Sequence, residues 1–143
     1  MVVTIITVVK NDVQNIEKTI NSVFSQTYEQ VEHIVIDGSS TDGTLDIIKK
    51  NKKKVSVIYS GKDKNLYQAL NKGIKMSNGE VIGILHSGDI YASKNSIKKS
   101  LDFIKKKRVD IVISNLKVIN IKKKVYRYVT TSNFFQPCML SMG

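Results

Sequence analysis

Five short apolar runs rich in β-branched residues alternate with segments of helical period, and this alternation constrains the fold more than any other feature. Val2 to Val9 is the first run. An apolar stretch of this kind, bounded by polar residues, reads as a buried strand. Val31 to Ile36, Val55 to Tyr59, Val81 to Leu85 and Val109 to Ile113 repeat it. Between them the spacing changes to three and four residues. Val13, Ile16, Ile20, Val23 and Phe24 form one helical face, and Leu66, Ala69, Leu70 and Ile74 form another. Thr41-Asp42 caps a short helix with Leu45, Ile47 and Ile48, and Ser93 to Lys106 carries Ile97, Leu101, Phe103 and Ile104. The expected fold class is α/β, a mostly parallel sheet flanked by helices with right-handed crossovers. Leu116 to Ile121 and Val125 to Val129 flank three lysines and predict an antiparallel hairpin.

In open α/β sheets, ligands bind beyond the carboxyl ends of the strands. Two segments at such ends carry acids. The first is Val35-Ile36-Asp37-Gly38-Ser39-Ser40-Thr41-Asp42-Gly43-Thr44. A carboxylate at Asp37 can accept from a uracil ring N–H or a ribose hydroxyl, while Asp42 reads as a helix cap. The second is Ile84-Leu85-His86-Ser87-Gly88-Asp89. An acid at Asp89 can ligate Mg²⁺ or Mn²⁺, with substrate diphosphate and water completing the octahedron. His86 and His33 read as structural residues. Lys62, Lys64 and Lys72 lie between the two acidic segments. They are either solvated or within reach of phosphates. The Lys-containing phosphate loop and G-x-G-x-x-G are both absent.

The chain has 143 residues, which suits one domain. No stretch approaches the ~20 apolar residues that span a bilayer, and the N-terminus reads as a strand rather than a secretory leader. A single cysteine, Cys138, excludes an internal disulfide framework. A cytoplasmic location is expected. The net charge of +11 comes from lysine clusters such as Lys52-Lys53-Lys54 and Lys105-Lys106-Lys107-Arg108. These are either solvated surface or a peripheral contact with anionic lipid at the inner face of a membrane. No aromatic residues interleave with them, which argues against nucleic acid.

The motifs in combination resemble the N-terminal part of the family-2 glycosyltransferases, inverting enzymes of the GT-A, Rossmann-like fold. Three blocks carry the resemblance. They are Thr4 to Asp12 with Ile20 to Tyr28, then Val35 to Thr44, and then Leu66 to Ile74 with Gly79-Glu80 and Leu85 to Asp89. The resemblance implies transfer of a sugar from a nucleoside diphosphate, UDP favoured, to an acceptor hydroxyl, as in bacterial surface polysaccharide synthesis. The acceptor would be a saccharide or a lipid-linked saccharide. It places Thr7 and Asp37 at the nucleoside, Asp63 in a loop closing over the nucleotide, and Asp89 at the metal end of a D-x-D-type motif. Lys72 joins the nucleotide-binding set. In this chain only Asp89 remains of that motif's acids; His86 and Gly88 occupy the other places.

Domains of this family continue well beyond this length. The expected organisation is therefore one domain over 1–143, with 1–115 as the nucleotide-sugar-binding half and 116–143 opening an incomplete acceptor half. The catalytic base is expected outside this chain, since Asp102 and Asp110 are its only acids after Asp89. A non-catalytic nucleotide-sugar-binding half is the alternative expectation. A nucleotidyltransferase-like enzyme or a basic binding module are further readings.

Overall fold

The computed structural model describes residues 1–120 and 123–129. The chain falls into two compact units that divide between Lys99 and Ser100.

The first unit is built on a four-stranded parallel sheet. Its strands are β1 (Val3–Val9), β2 (Val31–Asp37), β3 (Val57–Ser60) and β4 (Val81–Ile84), in the order β3-β2-β1-β4. The chain steps outward from β1 through β2 to β3, then returns to the other side of β1. The crevice between the carboxyl ends of β1 and β4 is therefore a topological switch point.

Side-chain alternation splits the core into two layers. Val9 and Val35 pack with Ile16 and Ile20 of α1 (Ile16–Phe24) and Ile48 of α2 (Thr44–Lys50). Ile6, Ile34 and Ile36 project to the opposite face and meet Ala69 of α3 (Leu66–Met76). Full burial of each such isoleucine contributes roughly 1.5–3 kcal/mol. α3 sits close on the sheet because residue 73 has no side chain: a Cβ at Gly73 would lie 2.6 Å from Ile6 Cγ2. That close approach brings Lys72, the preceding residue, down beside Tyr59 of β3.

α3 starts at Leu66, as its apolar spacing predicts, while α1 starts later than its spacing predicts. α1 begins at Ile16, not Val13; ahead of it the amides of Asn15 and Ile16 close a turn on the Asp12 carbonyl. A 3₁₀ turn at Lys52–Lys54 delays β3 to Val57. α4 (Ser96–Lys107) runs across the division between the units.

In the second unit, β5 (Leu116–Asn120) pairs antiparallel with β6 (Lys123–Val129), with an irregularity between Val118 and Asn120. This is the hairpin that the sequence predicts. The fifth parallel strand is corrected: Val109 to Ile113 is irregular, with Ile111 70% exposed and Ile113 48% exposed. Among the described residues no strand pairs with it. An apolar, β-branched run does not make a strand unless a neighbour satisfies the backbone groups.

Candidate functional site

Asp37 is the last residue of β2, and it is completely buried. Its Oδ2 accepts from Ser60 Oγ at 2.7 Å and from the Ser40 amide at 3.2 Å. Ser60 ends the neighbouring β3, so the carboxylate is fixed by two adjacent strand ends. Its Oδ1 is buried with no hydrogen-bond partner. A buried carboxylate oxygen without a donor costs free energy that folding alone does not repay. This orphan lies at the carboxyl edge of the sheet, where a ligand N–H or O–H could complete the bonding.

The loops after β1 and β2 are stitched to each other. The Asn11 amide donates to Ser40 Oγ at 2.8 Å, and the Thr41 amide donates to Asn11 Oδ1 at 2.9 Å. Asn11 and Ser39 both adopt left-handed backbone, with φ of 52° and 58°. Non-glycine residues hold that conformation only where the surroundings over-determine it. Asp42 accepts from the Thr44 amide and hydroxyl and from the Val13 amide. The Thr44 hydroxyl is the main cause that holds the Asp42 carboxyl below its usual range. Asp42 is therefore a loop fastener just ahead of α2; the cap position that the sequence gives to Thr41-Asp42 belongs to Gly43, with φ of 95° and no side-chain cap bond.

Asp63 and Lys72 come together. Lys72 Nζ lies 2.6 Å from Asp63 Oδ1, 3.2 Å from the Tyr59 hydroxyl and 4.6 Å from the centre of the Tyr59 ring. Asp63, chiefly, and then Tyr59 raise the Lys72 pKa, so the ammonium stays charged. Asp63 Oδ2 is buried and accepts no bond.

Thr7 lies within β1 and is completely buried, and its Oγ1 is 3.0 Å from His33 Nε2. The hydroxyl expected at the nucleoside is thus engaged inside the sheet. Spacing along the chain gives no sign of this contact between residues on adjacent strands.

Asp89 follows β4 at the far side of β1 from Asp37. The two strand spacings between β2 and β4 amount to about 10 Å. Gly88 has φ of +91°, a left-handed turn that a Cβ would strain. Ser87 Oγ in the same turn donates to Asp12 Oδ2 at 2.6 Å. Asp89 itself is exposed. Among the described residues no group of three metal-ligating side chains exists. One open carboxylate suits a hard cation that takes most of its oxygens from substrate phosphates and water. On that ground the residues present fit Mg²⁺ or Mn²⁺.

Gln26 and Thr27, just past the end of α1, form a clamp that their place at a helix end does not foretell. Gln26 Nε2 donates to the Ser93 carbonyl at 3.0 Å, and its Oε1 accepts from the Ile97 amide at 3.2 Å. The Thr27 amide donates to the Lys94 carbonyl at 2.8 Å. These bonds tie the end of α1 to the start of α4 and set the path of the segment that carries Asp89.

Comparison with known proteins gives concordant matches. Residues 4–141 match the family model described as glycosyl transferase family 2. A relative from Escherichia coli is 34% identical over 142 residues, covering 99% of this chain and 54% of the relative. It is the UDP-Glc:alpha-D-GlcNAc-diphosphoundecaprenol beta-1,3-glucosyltransferase WfaP. The putative teichuronic acid biosynthesis glycosyltransferase TuaG of Bacillus subtilis is 32% identical over 105 residues, covering 71% of this chain and 41% of TuaG. The chain thus spans about half or less of these relatives' length. Among solved structures, residues 1–349 of S. aureus TarS in complex with UDP-GlcNAc align with a TM-score of 0.68 at 25% identity, covering 74% of this chain and 32% of that one. A Pyrobaculum calidifontis mannosyltransferase in complex with GDP-Man and Mn²⁺ aligns with a TM-score of 0.67 at 20% identity, covering 71% of this chain and 32% of that one. The latter shares the fold.

Proposed function

This chain belongs to glycosyl transferase family 2, and from that premise we propose that it forms the donor site of an inverting glycosyltransferase that takes a UDP-sugar. The observation that carries the reading is the buried, unpartnered Asp37 Oδ1 beside the switch point, with the open Asp89 carboxylate across β1. Asp37 accepts from the nucleoside. Lys72, steered by Asp63, faces the diphosphate with its charge retained. Thr7, its hydroxyl taken by His33, supports the strand beneath the nucleoside without touching it. Asp89 holds Mg²⁺ or Mn²⁺. The bound cation would offset charge on the departing nucleoside diphosphate.

Direct displacement at the anomeric carbon by an acceptor hydroxyl requires a base to take the acceptor proton. No residue of this chain is assigned that role. The proposed acceptor is a saccharide on a lipid carrier, by analogy with the lipid-linked substrate in the name of the E. coli relative. The proposed location is the cytoplasm, at the inner face of the membrane. Among the described residues no helix is long and apolar enough to cross a bilayer, so contact would be peripheral, through the lysine runs. Cosedimentation with vesicles checks this. The expected result is binding to vesicles rich in phosphatidylglycerol, none to neutral phosphatidylcholine, and release by salt. Equal binding to both would exclude the electrostatic contact.

Calorimetric titration with UDP and GDP, with and without Mn²⁺, tests the donor site. UDP binding strengthened by Mn²⁺ supports it, and binding of neither nucleotide overturns it. Asp89→Ala is expected to remove the strengthening by Mn²⁺, about tenfold in affinity, and to leave metal-free UDP binding within about twofold. Equal Mn²⁺ dependence in Asp89→Ala would exclude Asp89 as the metal carboxylate. A non-catalytic donor-binding half would bind UDP in the same way and yield no hydrolysis of the UDP-sugar.

A further inference from the structure

Only one wall of the turn that carries Asp89 belongs to the sheet; the other is helix α1. Thr19, Ser22 and Gln26 recur on α1 and just past its end at steps of three and four residues, so they share one face. Each reaches the segment from Gly88 to Ile97. Thr19 is completely buried. Its Oγ1 accepts from the Gly88 amide at 3.1 Å and donates to the Asp89 carbonyl at 3.0 Å. Ser22 Oγ accepts from the Tyr91 amide at 2.7 Å. Gln26 bonds the Ser93 carbonyl and the Ile97 amide.

We propose that this polar stripe is a positioning device for the metal carboxylate, and that Thr19 is its central residue. The proposal rests on the reading of Asp89 given above. Thr19 bonds the backbone on both sides of the peptide that joins Gly88 to Asp89, and with a single hydroxyl it fixes that peptide's orientation. The turn needs fixing. Gly88 is left-handed, glycine has no side chain to restrict its torsions, and although the Asp89 amide closes the turn on the His86 carbonyl at 3.0 Å, the exposed Asp89 carboxylate has no hydrogen bond or ion pair among the described residues. A lone carboxylate held by that one turn bond alone would spread over more positions and bind a cation more weakly. Groups that orient a metal ligand typically contribute 10–100-fold in metal affinity. Asp12, through Ser87, holds the turn from the β1 side. Thr19 holds it from the helix, directly at the ligand's own backbone.

Thr19→Val is the test, because valine keeps the shape and removes both bonds. UDP affinity is measured calorimetrically with and without Mn²⁺, alongside thermal unfolding. The expected result is a loss of about tenfold in the strengthening by Mn²⁺, with metal-free UDP affinity within about twofold of the parent. Thr19→Ser retains the hydroxyl and is expected to restore the Mn²⁺ effect. A merely structural threonine would lower the unfolding temperature and leave the Mn²⁺ effect intact, which would overturn the proposal. So would equal losses with and without metal, or failure of serine to rescue. If the parent chain binds UDP without any Mn²⁺ effect, the Asp89 reading fails first and the role of Thr19 falls with it. If it binds no UDP, the donor site itself is wrong.

Discussion

Asp37→Asn is expected to lower UDP affinity by about a hundredfold while leaving thermal stability equal to or above that of the parent. The two effects have one origin. Asparagine is nearly isosteric, and its carbonyl oxygen can keep accepting from Ser60 Oγ and the Ser40 amide as Asp37 Oδ2 does. Its NH₂ then stands where Oδ1 is now buried and unpartnered. For the fold, the exchange removes the orphaned carboxylate oxygen and keeps both bonds to the other, a gain or at worst a neutral change. For the ligand, it sets a donor against a donor. A site that should accept an imide N–H or a ribose hydroxyl would now repel it, and each such mismatch costs about 1–3 kcal/mol. Stabilisation joined to loss of function is what a ligand-directed carboxylate produces. A structural carboxylate would lose stability. Calorimetry with UDP and a melting curve on the same sample read both. Lower stability with intact UDP binding would remove Asp37 from the site.

Much of this arrangement is legible in the residues alone, and the rest is hidden for definite reasons. The β-branched runs and the shift to helical spacing identify the four parallel strands. β1 and β2 are buried on both faces and leave a continuous apolar signal, and the half-buried edge strands β3 and β4 are shorter runs of the same kind. Val109 to Ile113 has the same signal but no partner among the described residues, and a strand depends on its neighbour as much as on its own sequence. The acids at 37, 42 and 89 are visible because short motifs carry them. The contacts that give them roles are less visible, since they join residues far apart in the chain. Ser60 on Asp37, Lys72 on Asp63 and His33 on Thr7 follow from register between strands and from the packing of α3. The stripe of Thr19, Ser22 and Gln26 was open to reading. It has helical period, and it is polar where a helix between two strands should be apolar.

His33 makes the fold sensitive to mild acid. Its ring is 2% exposed, one nitrogen meets the Thr7 hydroxyl, and the other has no partner. Burial lowers its pKa from 6.5 to about 4. The folded chain therefore keeps the ring neutral at a pH where the unfolded chain has already protonated it. Between about pH 6.5 and about pH 4 the unfolded state binds more protons, so stability falls as pH falls. Above that window the contribution is fully present; below it the loss is complete, at about 3 kcal/mol. Glu32 acts separately and at lower pH. Burial would raise its pKa, but bonds from the Thr4 hydroxyl and from Asn78 outweigh that and hold it below the usual carboxylate value. Its stabilisation is lost as pH falls from the ordinary carboxylate range through its lowered folded value. Urea unfolding at pH 7, 5.5 and 4.5 is expected to show a steady fall for the parent chain. His33→Gln cannot titrate and keeps a polar atom for Thr7, so its curve should stay nearly flat above pH 5. A parent curve that is equally flat would show that the buried ring does not govern acid stability. A His33→Gln curve as steep as the parent's would assign the fall to other groups.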